Sequence, residues 1–258
     1  SSSKPCSEYM FVDDSACNLA SQNLVAFLDE KGRFRHEDYS QSVRTVAIAQ
    51  DLEIDASGYP TREIAQNAHD YRPLGQGNTN LGSLLMRFGL SYDSDEARTV
   101  AATIQALQTA KVYQASVEMA ERVGPFKRFE ENKGSFLRVL NMHREALREV
   151  DREKLPEDSG LKEAYDEAGR SLDDVIDRAG KTGIRNSQAT VYAPTGTISF
   201  MMDCDTTGIE PDLALRKSKA LAGGGTLEIV NTAVAPALRK LGYEDDEIRR
   251  ITDYVDQH

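Results

Sequence analysis

A chain of 258 residues, 40% hydrophobic and 28% charged, has the apolar content for a buried core and does not have the composition of a disordered segment. Its formal net charge of -11 offers no basic footprint for a nucleic acid polymer, and no apolar run approaches the ~20 residues of a membrane-crossing helix. Three cysteines, a small and odd number, point away from a disulfide-stapled secreted domain and towards a cytoplasmic chain with free or working thiols.

Residues 4–28 read as extended, then turning, then apolar, with "YMF" and "LASQNLVAFL" bracketing the polar turn "VDDSA". Val43, Val46, Ala47, Ile48 and Leu52 recur at helical spacing and predict a helix over 36–56, followed by a second with Pro60 near its first turn. "LGQGNTNLGSLLMRFG" reads as a short glycine-punctuated loop entering a helix that ends at Gly89. The strongest helix follows, with Asp93 and Glu96 as a capping box and Gly124-Pro125 as its stop. Residues 130–182 hold two more helices, broken near "LPEDSG". "SQATVYA" has the β-branched and aromatic content of a buried strand and runs into "PTGTISFMMDCDTTGIEP", a loop rich in Gly, Thr and Ser. "ALAGGGTLEIVNTAVAPALRKLGY" and the acidic end read as helical. Long helices with a few buried strands predict an α/β fold.

Three stretches carry candidate chemistry. In "KPCSEY" an extended backbone would set Lys4, Cys6 and Glu8 on one side, with thiol and carboxylate adjacent. The carboxylate makes a poor setting for a thiolate nucleophile, but a hydrogen-atom-transferring thiol needs no thiolate, and Glu8 can act as a general base. A buried cysteine beside an exposed glutamate accounts for the same pattern. "TVYAPTGTISF" gathers backbone N–H groups and hydroxyls after a strand, either as a phosphate cradle or as an ordinary turn; it lacks the Gly-Lys-Ser/Thr of a P-loop. Asp203, Cys204 and Asp205 lack zinc-ligand spacing, and His36, His69, His143 and His258 are scattered, so no metal site is expected.

Together these strings resemble one family. "PCSEYMFVDDSACNLASQNL" is similar to the finger loop of the adenosylcobalamin-dependent (class II) ribonucleotide reductases, and "YAPTGTISFMMDCDTTGIEPDLAL" to their phosphate-binding segment. "RPLGQGNTNLGSLLMRFGLSYDSDEA" and "LAGGGTLEIVNTAV" also resemble family segments, in order, to about residue 243. The resemblance implies a partial catalytic barrel over 1–258, part of a ten-stranded α/β barrel, with the finger loop at 4–19 and a phosphate loop at 194–199. It implies reduction of ribonucleotides, with diphosphates as the expected and triphosphates as the alternative substrates, by a thiyl radical formed with adenosylcobalamin.

By matching position, Cys6 is the radical cysteine that abstracts the 3'-hydrogen. Glu8 is the base for the 3'-hydroxyl. Cys17 is one of two reducing thiols, and Thr195, Gly196, Thr197, Ile198 and Ser199 cradle the substrate phosphates. An external dithiol such as thioredoxin, the remainder of the barrel in cis or trans, and a homodimer are the partners the resemblance allows. Lys4 departs from the family's usual Asn and can pair with Glu8, and the surroundings of Gln76 and Asn78 are more polar than is usual. The richest stretch lies at the extreme N-terminus, and "ITDYVDQH" stops within a helical pattern, so a fragment or a piece of a split enzyme, inactive alone, is expected. A non-catalytic fragment and a diiron-dependent (class I) large subunit are the competing readings.

Overall fold

The computed structural model describes residues 1–257; His258, the last of the four histidines, lies outside the described residues. At the centre, β3 (Asn18–Asn23) pairs in parallel with β4 (Leu74–Thr79), in register from Asn18↔Leu74 to Asn23↔Thr79. The expected loop at 74–79 is thus a fully buried strand. The extended segment 188–193 lies along the other edge of β4 with one parallel bridge, Gln76↔Thr190, and with Leu74 N donating to Gln188 O (2.8 Å) and Val191 N to Gln76 O (3.0 Å). The strand expected from "SQATVYA" is therefore present as an extended neighbour rather than a full ladder.

Parallel strands need long crossovers, and helices supply them. The first runs through α1 (His36–Ala56) and α2 (Arg62–Tyr71). The Thr61 hydroxyl caps α2 by accepting from Ile64 N. Arg72 ends it in the left-handed region (φ 48), and its buried guanidinium donates to Asp51 and Asp55 of α1, which aims the chain into β4. The second crossover holds α3 (Leu81–Arg87), α4 (Asp95–Val123), α5 (Phe129–Arg148) and α6 (Leu161–Thr182). The side chain that caps α4 is Ser94, accepting from Ala97 N, and not the expected Asp93; Gly124 stops the helix as expected. α4 packs on α1, α5 and α6, so it is buried on several sides. Between α1, α4 and α6, Glu167 accepts from Ser40 and lies 2.6 Å from His36 Nδ1 and 2.7 Å from Lys111 Nζ.

Side chains alternate across the central sheet. Asn18, Gln22, Gln76 and Asn78 face the helices, where Asn18 donates to Gln50 O (2.7 Å), Gln76 to Val43 O (3.1 Å) and Asn78 to Gln108 (3.0 Å), and Gln22 accepts from Ser42 (2.9 Å). The unusual polarity at Gln76 and Asn78 is therefore a largely hydrogen-bonded layer between sheet and helices, in which the side-chain oxygens of Asn18 and Gln76 stay without a partner among the described residues. The opposite face carries Cys17, Leu19, Gly75, Gly77 and Thr79.

After 193 come the single turn α7 (Ile198–Met201), an antiparallel hairpin of β5 (Arg216–Ala220) and β6 (Thr226–Val230), and α8 (Val234–Lys240) and α9 (Asp245–Gln257). The hairpin replaces the expected helix over "ALAGGGTLEIV": Gly224 (φ 85) and Gly225 (φ 91) take conformations that other residues rarely adopt, and Leu221 N donates to Gly225 O. A small hairpin of β1 (Ser2–Ser3) and β2 (Met10–Phe11) opens the chain. The described residues form an α/β fold with three two-stranded sheets and no closed barrel, because no further strand pairs with β3 or with 188–193.

Candidate active site

The β1–β2 hairpin carries the "KPCSEY" stretch at its tip, and the backbone there is a tight turn rather than the expected strand. Ser7 N donates to Lys4 O (2.9 Å), Lys4 N to Tyr9 O (3.0 Å), and Ser7 sits at φ 60. The turn breaks the alternation that would have aligned Lys4, Cys6 and Glu8. Cys6 is exposed at the tip, and no hydrogen bond joins its thiol to Glu8 or Cys17 among the described residues. Glu8 is half-buried, and its Oε2 is shielded from solvent with no hydrogen-bond partner. A carboxylate oxygen held this way is an acceptor waiting for a donor.

Tyr9 anchors the tip. It is buried and packs with Phe11 and Cys17 against Val191 and Ala193. Lys4 does not pair with Glu8: its ammonium donates to the Cys17 carbonyl (2.9 Å), tying the tip to the entrance of β3. Burial pushes the Cys17 thiol up to about 12; the Lys4 charge offsets part of this and the Glu8 charge adds to it. Cys17 is thus a protonated thiol at neutral pH, with Lys4 and Glu8 both acting on it.

β4 is shaped to admit this loop. A Cβ on Gly75 would lie 2.5 Å from Cys17 Sγ and 2.6 Å from Leu19 Cδ2, and one on Gly77 would lie 2.5 Å from Val191 O. All three distances are far inside contact range, so the two glycines are what let thiol and neighbouring backbone approach. Alternate glycines in a buried run were the available signal for this close approach.

The candidate phosphate loop leaves the same sheet beyond 193. Thr195 and Ser199 are buried, with Ser199 N donating to Thr195 O (3.0 Å), while Gly196, Thr197 and Ile198 between them are exposed. The backbone N–H groups of these three have no acceptor among the described residues. Two buried anchors thus present a short run of free amides, an arrangement suited to an anion. Cys204 closes the turn: its N–H donates to Ser199 O (2.9 Å), and burial pushes its thiol up to about 11.

The structure therefore gathers Lys4, Glu8, Tyr9 and Cys17 on one face of the sheet and sets Thr195–Ser199 at the end of the adjoining segment. Cys6 is carried by the same turn but remains open. Sequence reasoning did not find Tyr9, Gly75, Gly77 or Thr79.

Comparison with known proteins shows the family of the chain. The family description "Ribonucleotide reductase, barrel domain" matches residues 1–258. The chain is 51% identical over 98% of its length to the vitamin B12-dependent ribonucleotide reductase of Rhodopirellula baltica, covering 24% of that protein. It is 43% identical over 99% of its length to that of Agrobacterium fabrum, covering 21%, and 45% identical over 98% to that of Streptomyces coelicolor, covering 26%. The chain thus spans about a quarter of the length of these relatives. With its cysteine-bearing hairpin laid on a parallel sheet and a family match along its whole length, this chain belongs to the ribonucleotide reductase barrel-domain family.

Proposed function

We propose that this chain supplies the radical and reducing thiols and the phosphate loop of a vitamin B12-dependent enzyme that reduces ribonucleoside diphosphates to 2'-deoxyribonucleotides. The observation that carries the reading is Glu8 Oε2, buried and unpartnered on the turn that bears Cys6 and beside the protonated Cys17. The relatives' names support the B12 dependence. In this reading the α/β layer is part of a ten-stranded barrel, the finger loop spans 4–19, the phosphate loop spans 194–199, and the complete protein acts in the cytoplasm. No helix among the described residues is long and apolar enough to cross a membrane.

Adenosylcobalamin, when bound, supplies a carbon-centred radical. Cys6 fits a group that comes from outside this chain, because its thiol is exposed and without a hydrogen-bond partner. Cys6 exchanges a hydrogen atom with the ribose 3'-carbon. Glu8 takes the 3'-hydroxyl proton through its free oxygen. Cys17 and a second thiol together give up two hydrogen atoms' worth of reducing equivalents as the 2'-hydroxyl leaves as water, and end as a disulfide. A thiol held near 12 keeps its proton until that step. An external dithiol such as thioredoxin then restores both thiols. The free amides at 196–198 hold the substrate phosphates, with Thr195 and Ser199 as their anchors. Lys4, on the Cys17 carbonyl, keeps the tip and the reducing thiol together, so its departure from the family's Asn leaves Glu8 free.

The test is cobalamin-dependent deoxynucleotide formation by the full-length protein and its Cys6→Ser variant. Wild-type turnover with none in the variant is expected; turnover retained by Cys6→Ser would remove Cys6 from the radical role. Turnover that depends on a radical-bearing small subunit instead of cobalamin would select the diiron class.

A further inference from the structure

We infer that Thr79, the last residue of β4, is a positioning residue that sets the phosphate loop; the inference rests on the reading of 195–199 as that loop. Thr79 is completely buried, so it touches no ligand. Its Oγ1 lies 2.9 Å from Thr195 Oγ1, and Gly208 N donates to both hydroxyls, at 3.2 Å to Thr79 and 2.7 Å to Thr195. Thr79 Oγ1 also lies 3.4 Å from Thr206 O, so its single proton goes to that carbonyl or to Thr195, while both threonine hydroxyls accept from the Gly208 amide.

That contact holds a backbone that would not hold itself. Thr195 has φ 55, a left-handed conformation that a β-branched residue rarely adopts and that persists only when its surroundings impose it. The neighbouring segment is fixed in turn by Asn80. Its Oδ1 accepts from Thr206 N (3.1 Å) and Thr206 Oγ1 (3.3 Å), and its Nδ2 donates to Asn23 Oδ1 (3.0 Å). The ends of β3 and β4 therefore clamp Thr195 from behind, and the direction of the free amides at 196–198 follows from its φ. Without the Thr79 hydroxyl, Thr195 loses a side-chain anchor and can relax to negative φ, which turns those amides away from a phosphate.

The experiment compares calorimetric affinities of the full-length protein for a ribonucleoside diphosphate and for the same nucleoside without phosphates. In Thr79→Val the preference for the diphosphate should fall roughly three- to tenfold, the range one hydrogen bond allows. Thr79→Ser, which keeps the hydroxyl, should keep the wild-type preference. Thr79→Cys, close in size with a poor hydrogen-bonding group, gives the same reading as valine if the valine variant does not fold. A role in packing alone would lower thermal stability, or weaken both ligands in parallel, and leave the preference unchanged; that result, or a serine variant as impaired as valine, overturns the inference. If the wild-type protein itself does not favour the diphosphate over the nucleoside, the phosphate-loop reading has failed, and that outcome is separate from a wild-type preference that survives Thr79→Val.

Discussion

Gly77→Ala tests the packing that makes the site possible. The new Cβ would stand 2.5 Å from Val191 O, a backbone atom that cannot swing aside as a side-chain end can. To reach even the closest tolerable contact, 188–193 must move away from β4 by at least about 0.5 Å, since repulsion rises steeply inside van der Waals range. Two backbone hydrogen bonds join these segments beside Gly77, Gln76 N to Ala189 O and Val191 N to Gln76 O, both 3.0 Å. Overpacking of this kind costs about 1–3 kcal/mol, weakening two hydrogen bonds adds about 1 kcal/mol, and the less flexible unfolded chain returns about 0.4–1 kcal/mol, for a net loss of roughly 2–3 kcal/mol. Hydrogen exchange at the Val191 amide reads this locally: exchange should quicken by roughly 30- to 150-fold if the amide opens with the sheet. Gly75→Ala, whose Cβ would meet the ends of Cys17 and Leu19 and, at 3.2 Å, Asn18 O on the β3 side, should disturb that amide far less. Unchanged protection at Val191 in Gly77→Ala would refute the close approach of β4 to 188–193.

Alkylation with iodoacetamide, read by peptide mass spectrometry, should modify the exposed Cys6 first; Cys17, held up to about 12, should react slowly at neutral pH and faster as pH rises towards that value. Because the folded state favours the protonated Cys17 thiol, its contribution to stability is present below about pH 9, the ordinary thiol value, and is lost as pH rises through about 12. Burial alone would raise Glu167, but hydrogen bonds from His36 and Lys111 outweigh it and lower the carboxyl to about 2. Its contribution is present above about pH 4.5 and is lost as pH falls towards 2, so Glu167→Gln should flatten the acid limb of a stability-versus-pH curve; an unchanged limb would refute the coupling.

Helices were legible from apolar period and glycine stops: the pattern at 36–56 is α1 residue for residue although α1 has no side-chain cap, and Gly124 ends α4. β4 was not, because "LGQGNT" has low intrinsic strand preference and is extended only through its neighbours. Its polar side chains find partners on α1 and α4, and its glycines admit Cys17 and Val191. The alternation read into "KPCSEY" failed at Ser7, whose left-handed turn no composition announces. Of the proposed site, Cys6, Glu8, Cys17 and 195–199 were expected from resemblance of whole strings, not from local pattern. The role of Thr79 depends on a contact between residues 116 apart in the chain, beyond the reach of any local pattern.

The unmet acceptor on Glu8 has a thermodynamic consequence. An oxygen withdrawn from water without a donor weakens the folded state, and a ligand hydroxyl that reaches it relieves that penalty. Ligand occupancy and fold stability are then linked: saturating nucleotide should raise the unfolding temperature, and part of that rise should vanish when Glu8 is replaced by an apolar residue of similar size. Under the proposed function, the hydroxyl that meets Glu8 Oε2 would complete the native state as well as take part in the reaction.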